Sequence, residues 1–265
     1  EEYLFGFDYR TSGLCYTSLY MWRIINNFSW EMIGDYLCIA GLSHLELEEG
    51  IEEPFMFPPL TRTGEYEPAK LRQTLEEAKE RFREKGFPFT IRLIPFHMLD
   101  IVRQACPGEM KYTDDRPNYD YLYLVQDLID LKGRDFHSKK NHLNYFHRTF
   151  DYEYVDLTSE MAEEALEFLE EFNSRKDVPE HEKVLLDMEK DAMADVLYNM
   201  EKVGYWGGAI RICGKMEALA IGGRLNKNTI TEHVEKANIN IRGLYQAINN
   251  EYCKAMAKYL LFNMK

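Results

Sequence analysis

The chain has 265 residues, of which 45% are hydrophobic and 29% are charged. This length and composition indicate a globular protein with one large or two smaller domains, and they exclude a disordered or collagen-like chain. The formal net charge of −13 argues against a general nucleic-acid coat and against a basic membrane-binding face.

No apolar run approaches the roughly 20 residues that a membrane-spanning helix needs, so no transmembrane segment is expected. The basic-then-apolar layout of a signal peptide is also absent. The five Cys residues are odd in number and form no Cys-x-x-Cys pair. This usage indicates reduced thiols in a cytoplasmic protein and excludes a zinc ribbon or a disulfide scaffold. Because the sequence begins with Glu1 rather than Met, we expect an N-terminal piece to be missing.

Hydrophobic periodicity predicts mixed helices and strands in the first half of the chain. A helix begins at Pro68 and ends at Gly86, with apolar residues spaced four and three apart between them. Prolines within 52–63 exclude a central strand or a helix interior there. A helical stripe over 127–150, interrupted by Gly133, predicts one helix or two short ones. The other predicted elements are strands at 32–40, 89–94 and 119–124 and a short helix at 98–105.

The second half has the element order of an acyltransferase-type α/β unit, an order that many α+β domains share. Its predicted elements, in chain order, are a strand at 152–157, helices at 158–172 and 183–203, strands at 205–213, 215–225 and 229–236, and a helix at 242–262.

A basic segment at 132–148 carries five Lys or Arg residues and a single Asp, in contrast to the acidic chain around it. On a helix, Lys132 and Lys139 lie seven residues apart on one face, with Lys140 beside Lys139. Such a cluster could bind a phosphate or a carboxylate, and the alternative is a solvated helix face. The three His residues of this region are spaced by five, which does not align them on a helix, so no metal site is expected.

A second group of candidates lies in the predicted strand Thr231–Asn238. In a regular strand, His233 and Glu235 point to the same face and Val234 points to the other. An imidazole beside a carboxylate could transfer protons, which makes these two residues the candidate catalytic pair. The alternative is an exposed strand end with ordinary polar residues. A zinc deaminase is excluded because its Cys-x-x-Cys motif is absent.

The connection between this strand and the last helix, residues 237–244, is a third candidate. Its free N–H groups would form an anion pocket, and Gly243 would permit close approach of the backbone. The chain contains no Gly-x-Gly-x-x-Gly motif, P-loop or Gly-x-Ser-x-Gly motif. Rossmann cofactors, NTP hydrolysis and α/β-hydrolase chemistry are therefore excluded.

Several motifs occur together, in order, over nearly all of the chain. They are Asp120-Tyr121-Leu122-Tyr123, Leu131-Lys132-Gly133-Arg134, Lys139-Lys140-Asn141-His142, Gly207-Gly208-Ala209-Ile210, His233-Val234-Glu235-Lys236-Ala237 and Arg242-Gly243-Leu244-Tyr245-Gln246. This set resembles the signature of the DUF2156 family, which is similar to the C-terminal domain of bacterial phosphatidylglycerol lysyltransferases.

The resemblance implies an α+β fold, an α/β sandwich of two tandem GNAT-like domains related to the Fem peptidyltransferases. Each domain is expected to be a mixed, mostly antiparallel sheet flanked by helices. We assign residues 1–126 to the N-terminal domain, 127–150 to a basic connecting helix and 151–265 to the C-terminal domain. Family members continue past the last helix, so we expect the second domain to be incomplete at its C-terminus.

The resemblance also implies an enzyme that transfers an aminoacyl group from aminoacyl-tRNA to an amine or hydroxyl of a small molecule, peptide or lipid head group. No cofactor is expected, and the donor substrate is aminoacyl-tRNA or acyl-CoA. The resemblance assigns no general base, and the activated donor ester can react through positioning and charge stabilisation alone. The positions carried over as substrate-binding are Lys132, Arg134, Lys139, Lys140, Asn141, Lys236, Asn238, Arg242 and Gly243.

Two other functions remain open from the sequence. One is an acyl-CoA-dependent N-acetyltransferase, with the CoA pyrophosphate at the helix that starts near Arg242. The other is a non-catalytic module that binds an anionic ligand on the same fold. We expect only one of the tandem domains to hold a site, because the basic segment and the strand-to-helix connection each occur once.

Overall fold

The structure, a computed structural model, describes residues 2–5, 9–46, 51–106, 110–174 and 180–262. The chain divides into two compact units, Glu1–Asp120 and Tyr121–Lys265. Each unit contains one sheet of antiparallel strands with helices against it, which confirms the predicted α+β class. The proposed boundary at residue 126 and the separate connecting helix stay predictions.

The first unit has a three-stranded sheet in the order β1-β2-β3. Its strands are β1 (Ser29–Ile33), β2 (Tyr36–Glu46) and β3 (Ile51–Met56), and its helices are α1 (Glu2–Phe5), α2 (Tyr16–Trp22), α3 (Pro68–Glu84) and α4 (Phe96–Ala105). The predicted helices at 68–86 and 98–105 are confirmed as α3 and α4. Helix α3 buries Leu71, Leu75 and Ala78 in the core of the first unit, where each is at most 2% exposed.

Two strand predictions in the first unit are wrong, and backbone conformation explains both. The segment 32–40 is a hairpin rather than one strand, because Gly34 adopts a φ of +59° and turns β1 into β2. The segment 89–94 retains a single parallel bridge, between Ile91 and Met56, since Leu93 has a φ of +56° that breaks the extended run. The proline-rich segment 52–63 contributes residues to β3, which lies at the edge of the sheet.

The second unit has a four-stranded antiparallel sheet in the order β4-β5-β6-β7. Its strands are β4 (Tyr152–Leu157), β5 (Tyr205–Ile212), β6 (Lys215–Asn226) and β7 (Thr229–Ala237), and its helices are α5 (Val125–Asp130), α6 (His137–Thr149), α7 (Ala162–Ser174), α8 (Glu180–Tyr198), α9 (Met200–Val203) and α10 (Leu244–Phe262). All four strands and the last helix match the sequence prediction. Of the described helices, none has the length and apolar character needed to cross a bilayer.

The region predicted as one helix or two over 127–150 forms α5 and α6. They are separate because Leu131 and Gly133 have φ values of +46° and +95°, which no helix continues. The strand predicted at 119–124 is wrong, since these residues pair with no described strand. The alternation there does not mark a buried face, because Tyr121 and Leu122 are 88% and 84% exposed.

One face of the second sheet is covered by α6 and α10. Phe146 of α6 and Ile248 of α10 share a core with Ile210 of β5, and all three are fully buried. Burial of each such side chain contributes about 1.5–3 kcal/mol to folding. The buried amide of Asn250 in α10 donates from Nδ2 to the carbonyl oxygens of Leu128 and Ile129, at 2.8 Å each. These bonds satisfy carbonyls at the end of α5 and hold α5 against α10.

The start of α10 lies against the backbone of α6. Gly243 has a φ of +87°, and a Cβ added there would lie 2.3 Å from the carbonyl oxygen of His142. Only glycine allows this approach. The close backbone contact expected at Gly243 is therefore made with α6 of the same unit.

We expect Gly243→Ala to lower the free energy of unfolding by at least about 3 kcal/mol, because the new methyl group displaces one helix from the other. The matched control is Gly214→Ala, which has a φ of +80° and open space around its added Cβ. It should cost only about 1–2 kcal/mol, the penalty of the left-handed backbone. Urea unfolding of both variants measures the difference, and equal losses would contradict the packing argument.

Candidate functional site

Strand β7 contains a bulge where it pairs with β6. Ile221 pairs with Val234 and Gly222 pairs with Glu232, so His233 is an extra residue in the ladder. Such an extra residue resets the alternation of side chains along a strand. As a result, Glu232 and Glu235, three positions apart, lie on the same face of the sheet.

Helix α10 covers that face. The side chain of Asn249 in α10 donates from Nδ2 to Oε2 of Glu235, at 2.8 Å. Glu232 lies beside Gly222, whose missing side chain leaves room for the hydroxyl of Tyr252 from α10. The two carboxyl groups also share a hydrogen bond with each other.

The environment of the carboxyl pair favours retention of a proton. Loss of solvent raises the pKa of Glu232, and the neighbouring Glu235 carboxylate raises it further. Loss of solvent also raises the pKa of Glu235. The Glu232 residue is exposed to solvent, however, and water there reduces the size of the rise. Two adjacent carboxyls of this kind hold one proton between them over a range of pH in which isolated carboxyls are ionised.

Lys139 of α6 acts electrostatically on the same pair, without a direct ion pair to either carboxyl. Its ammonium favours the ionised form of Glu235 and so lowers the pKa of that carboxyl, against the effect of burial. The Lys139 Nζ lies 5.6 Å from the ring centroid of Tyr123 and 5.9 Å from that of Phe136. Lys139 and Glu235, two residues singled out in the sequence, are thereby coupled electrostatically. We call Lys139, Glu232, Glu235 and Asn249 the carboxyl-pair site.

Sequence reasoning missed Glu232 because strict alternation places it on the face opposite Glu235. The available signal was the Gly222-Gly223 pair in β6, because glycine inside a strand often marks a bulge or a close approach. A Cβ at Gly222 would lie 2.3 Å from the carbonyl oxygen of Thr231. The distorted pairing thus depends on glycine at this position.

The other basic residues are arranged around Asp130 at the end of α5. Lys132 Nζ lies 2.7 Å from the Asp130 carboxylate, and Lys140 Nζ lies 3.4 Å from its backbone carbonyl oxygen. The side chains of Arg134 and Asn141 are exposed and make no hydrogen bond or ion pair to any described residue. Of this basic segment, Lys139 is the member that acts electrostatically on Glu235.

The candidates in the connection before α10 contact their own unit. Asn238 donates from Nδ2 to Glu217 Oε2 at 2.7 Å, and its Oδ1 accepts from the backbone N–H of Asn240 at 3.1 Å. The guanidinium of Arg242 lies 4.6 Å from the ring centroid of Tyr145. These contacts fix the shape of the connection. The anion pocket expected there stays a prediction.

The predicted pairing of His233 with Glu235 on one face is wrong. The His233 ring meets the Tyr205 ring edge-to-face, with centroids 5.9 Å apart. Tyr205 faces away from α10, since the next residue, Trp206, is the one that stacks on Tyr259 of α10. The bulge therefore turns His233 to the opposite face, where burial lowers its pKa to about 4 and leaves the imidazole neutral at pH 7.

Lys236 also lies on the face opposite the carboxyl pair. Its Nζ is 3.3 Å from Glu189 of α8 and 5.5 Å from the ring centroid of Phe172 in α7. Lys236 is thus separated by the sheet from Lys139 and Glu235. Catalytic or substrate-binding roles for His233 and Lys236 stay predictions. Within the described ranges, no three His, Cys, Asp or Glu side chains are placed to hold a metal ion.

We expect Glu232→Gln to change how stability depends on pH. A carboxyl whose pKa is higher in the folded state binds its proton more tightly there, so its contribution to stability is lost as pH rises above its unfolded value of 4.5. Because Glu232 is exposed, solvent screening reduces the effect: between pH 5 and 8 the wild type should lose stability relative to the variant by well under about 1.4 kcal/mol per pH unit, the value for a fully shielded carboxyl. Urea unfolding across this range measures the difference. The exposed Glu153→Gln is the control and should follow the wild type, and a wild-type pH dependence in Glu232→Gln would refute the raised pKa.

Over residues 6–265 the chain matches the family described as phosphatidylglycerol lysyltransferase, C-terminal. A solved structure of a conserved protein of unknown function from Bacteroides thetaiotaomicron VPI-5482 is similar, with a TM-score of 0.81 and 27% identity, over 95% of this chain and 80% of that one. No curated protein matches by sequence.

A second solved structure is the C-terminal domain (DUF2156) of a protein described as a lysylphosphatidylglycerol synthetase from Agrobacterium fabrum. It has a TM-score of 0.52 and 10% identity, over 92% of this chain and 71% of that one, and this likeness concerns the fold. The family match extends over nearly the whole sequence and confirms the resemblance carried by the motifs. The chain, with its two GNAT-like units, belongs to the phosphatidylglycerol lysyltransferase C-terminal-domain family, DUF2156.

Proposed function

We propose that this chain is an aminoacyltransferase that moves an aminoacyl group from aminoacyl-tRNA to an amine or hydroxyl acceptor at the carboxyl-pair site. Family membership supports a transferase. The observation that carries the finer proposal is a hydrogen-bonded carboxyl pair with raised pKa values, on which the Lys139 ammonium acts electrostatically. This arrangement supplies a proton acceptor and a positive charge at one place.

The chemistry needs few groups because the donor is already an activated ester. The acceptor nitrogen or oxygen attacks the ester carbonyl carbon and forms a new C–N or C–O bond. The bond from that carbon to the ribose oxygen then breaks. The proton lost by the acceptor passes to the Glu235 carboxylate and from there to the departing ribose oxygen, so atoms and charge balance.

Glu235 suits the role of proton acceptor. A carboxylate with a raised pKa is a stronger base than an ordinary surface carboxylate, and a base works best with a pKa near the working pH. Lys139 can stabilise the oxyanion that develops on the attacked carbonyl oxygen, where a fixed positive charge is most effective. The two groups lie on different elements, β7 and α6, and α10 contacts both of these elements.

The basic segment supports an anionic donor. The chain carries a net charge of −13, so an approaching polyanion meets repulsion except where cations are concentrated. Lys132, Arg134, Lys139 and Lys140 provide such a place in the same unit as the carboxyl pair. We infer that the tRNA acceptor end is held by these cations, with the ester placed toward Glu235.

The direct test measures transfer from a panel of labelled aminoacyl-tRNAs and from labelled acetyl-CoA to amine, hydroxyl and phosphatidylglycerol acceptors. We expect wild-type transfer from aminoacyl-tRNA, and Glu235→Gln should lower kcat about 10²–10⁴-fold because its amide cannot accept the proton. The exposed Glu153→Gln should retain wild-type activity. Transfer from acetyl-CoA alone, or full activity in Glu235→Gln, would reject the proposal.

A second test separates the lysines of the basic segment. Lys139→Ala should raise the KM for the aminoacyl-tRNA donor and lower kcat, because it removes a positive charge that acts on Glu235. Lys132→Ala is the matched control, since its ammonium is already paired with Asp130 at 2.7 Å. We expect kcat/KM to fall about tenfold more in Lys139→Ala, a loss of about 1.4 kcal/mol in transition-state binding. Equal effects of the two substitutions would contradict a specific role for Lys139 at the carboxyl-pair site.

A further inference from the structure

Asn249 occupies a distinctive position on α10. Its neighbours in sequence are fixed in the unit, since Ile248 is buried in the core and Asn250 is bonded to the end of α5. Asn249 itself turns toward β7 and donates to Glu235 at 2.8 Å. Among the described residues, the hydrogen bonds of the Glu235 carboxyl come from Asn249 and Glu232.

We propose that Asn249 is a positioning residue: its side-chain amide keeps Glu235 as the carboxylate and leaves the shared proton on Glu232. The inference rests on the proposed function, since it assigns which member of the pair receives the acceptor's proton. Asn249 acts through Glu235 and makes no contact with a substrate in this role.

The argument begins with the chemistry of the amide. The Nδ2 group of asparagine carries two donors and no acceptor, so it bonds best to an ionised carboxylate oxygen. If Glu235 carried the proton, its oxygen facing Asn249 would be a weaker acceptor. Two adjacent carboxyls that share one proton are nearly equivalent until their neighbours distinguish them. Asn249 is a neighbour that distinguishes them.

The other groups around the pair give the same assignment. From α6, the Lys139 ammonium favours the ionised form of Glu235. From α10, the Tyr252 hydroxyl donates to the backbone carbonyl oxygen of Trp206 at 3.3 Å, so it is engaged elsewhere. Burial raises the pKa of Tyr252 and raises that of Cys253 to about 12, so both are neutral near pH 7.

The two glutamates therefore have unequal surroundings. Glu235 has one amide donor and one cation in addition to the hydrogen bond within the pair. Glu232, which is exposed, is affected by partial desolvation, by the charge of Glu235 and by the hydrogen bond within the pair, and all three favour its protonated form. The proton on Glu232 then points at Glu235 and completes its set of donors. This places the reactive lone pair on Glu235, whose direction is fixed by two hydrogen bonds.

The test replaces Asn249 by Leu, which keeps the size of the side chain and removes the donor. In protein labelled with 13C at the glutamate carboxyls, the Glu235 titration, assigned with Glu235→Gln, should move up by about one pH unit. The acid limb of the kcat profile should move up by the same amount, with the KM for the donor unchanged. Asn249→Gln, which restores an amide, should return both readouts part of the way.

The control is Asn144→Leu, an exposed position on α6, which should titrate as the wild type. If Asn249→Leu does not fold, Asn249→Ala breaks the same hydrogen bond with a smaller side chain. An unchanged Glu235 titration, or a loss of kcat without movement of the acid limb, would overturn the proposal. A wild type without transferase activity would reject the proposed function, while the carboxyl titration would still decide the role of Asn249.

Discussion

One extra residue in β7, opposite Gly222, determines which side chains of the second unit meet under α10. Without the bulge, Glu232 would point away from Glu235, and His233 would take its place beside it. With the bulge, two carboxyls meet on the face under α10 and an imidazole is buried on the other side. The site is thus a consequence of strand register, and register depends on a glycine that leaves room for the backbone of the neighbouring strand.

Helix α10 connects the parts of this site. Its consecutive residues Asn249 and Asn250 bond to β7 and to the end of α5, two elements far apart in sequence. Gly243 at its start brings it against the backbone of α6, the helix that carries Lys139. The cation and the carboxyl pair therefore share a single support. Relative movement of these groups would require the core around Phe146 and Ile248 to open.

Much of this organisation could be predicted from the sequence, and the exceptions have physical causes. The strands of the second unit and the helices α3, α4 and α10 follow from the pattern of apolar residues, since each buries apolar side chains, and β6 is buried on both faces along 218–223. The basic segment and Glu235 were identified from residue type and spacing. The bulge was not, because a strand's register depends on its partner strand. The strand predicted at 119–124 is wrong for a related reason: residue types alternate there, but no described partner strand or core buries one face of the segment.

Asp130 provides an internal counter-ion for the basic segment at 132–148. This aspartate engages Lys132 through its carboxylate, and its backbone carbonyl accepts from Lys140. An incoming anion must compete with contacts that already exist, so a singly charged ion gains little by exchange. A ligand with several adjacent negative charges can engage Lys139 and Arg134 as well and obtains a net gain. Under the proposed function, this internal counter-ion favours a polyanionic donor over singly charged anions.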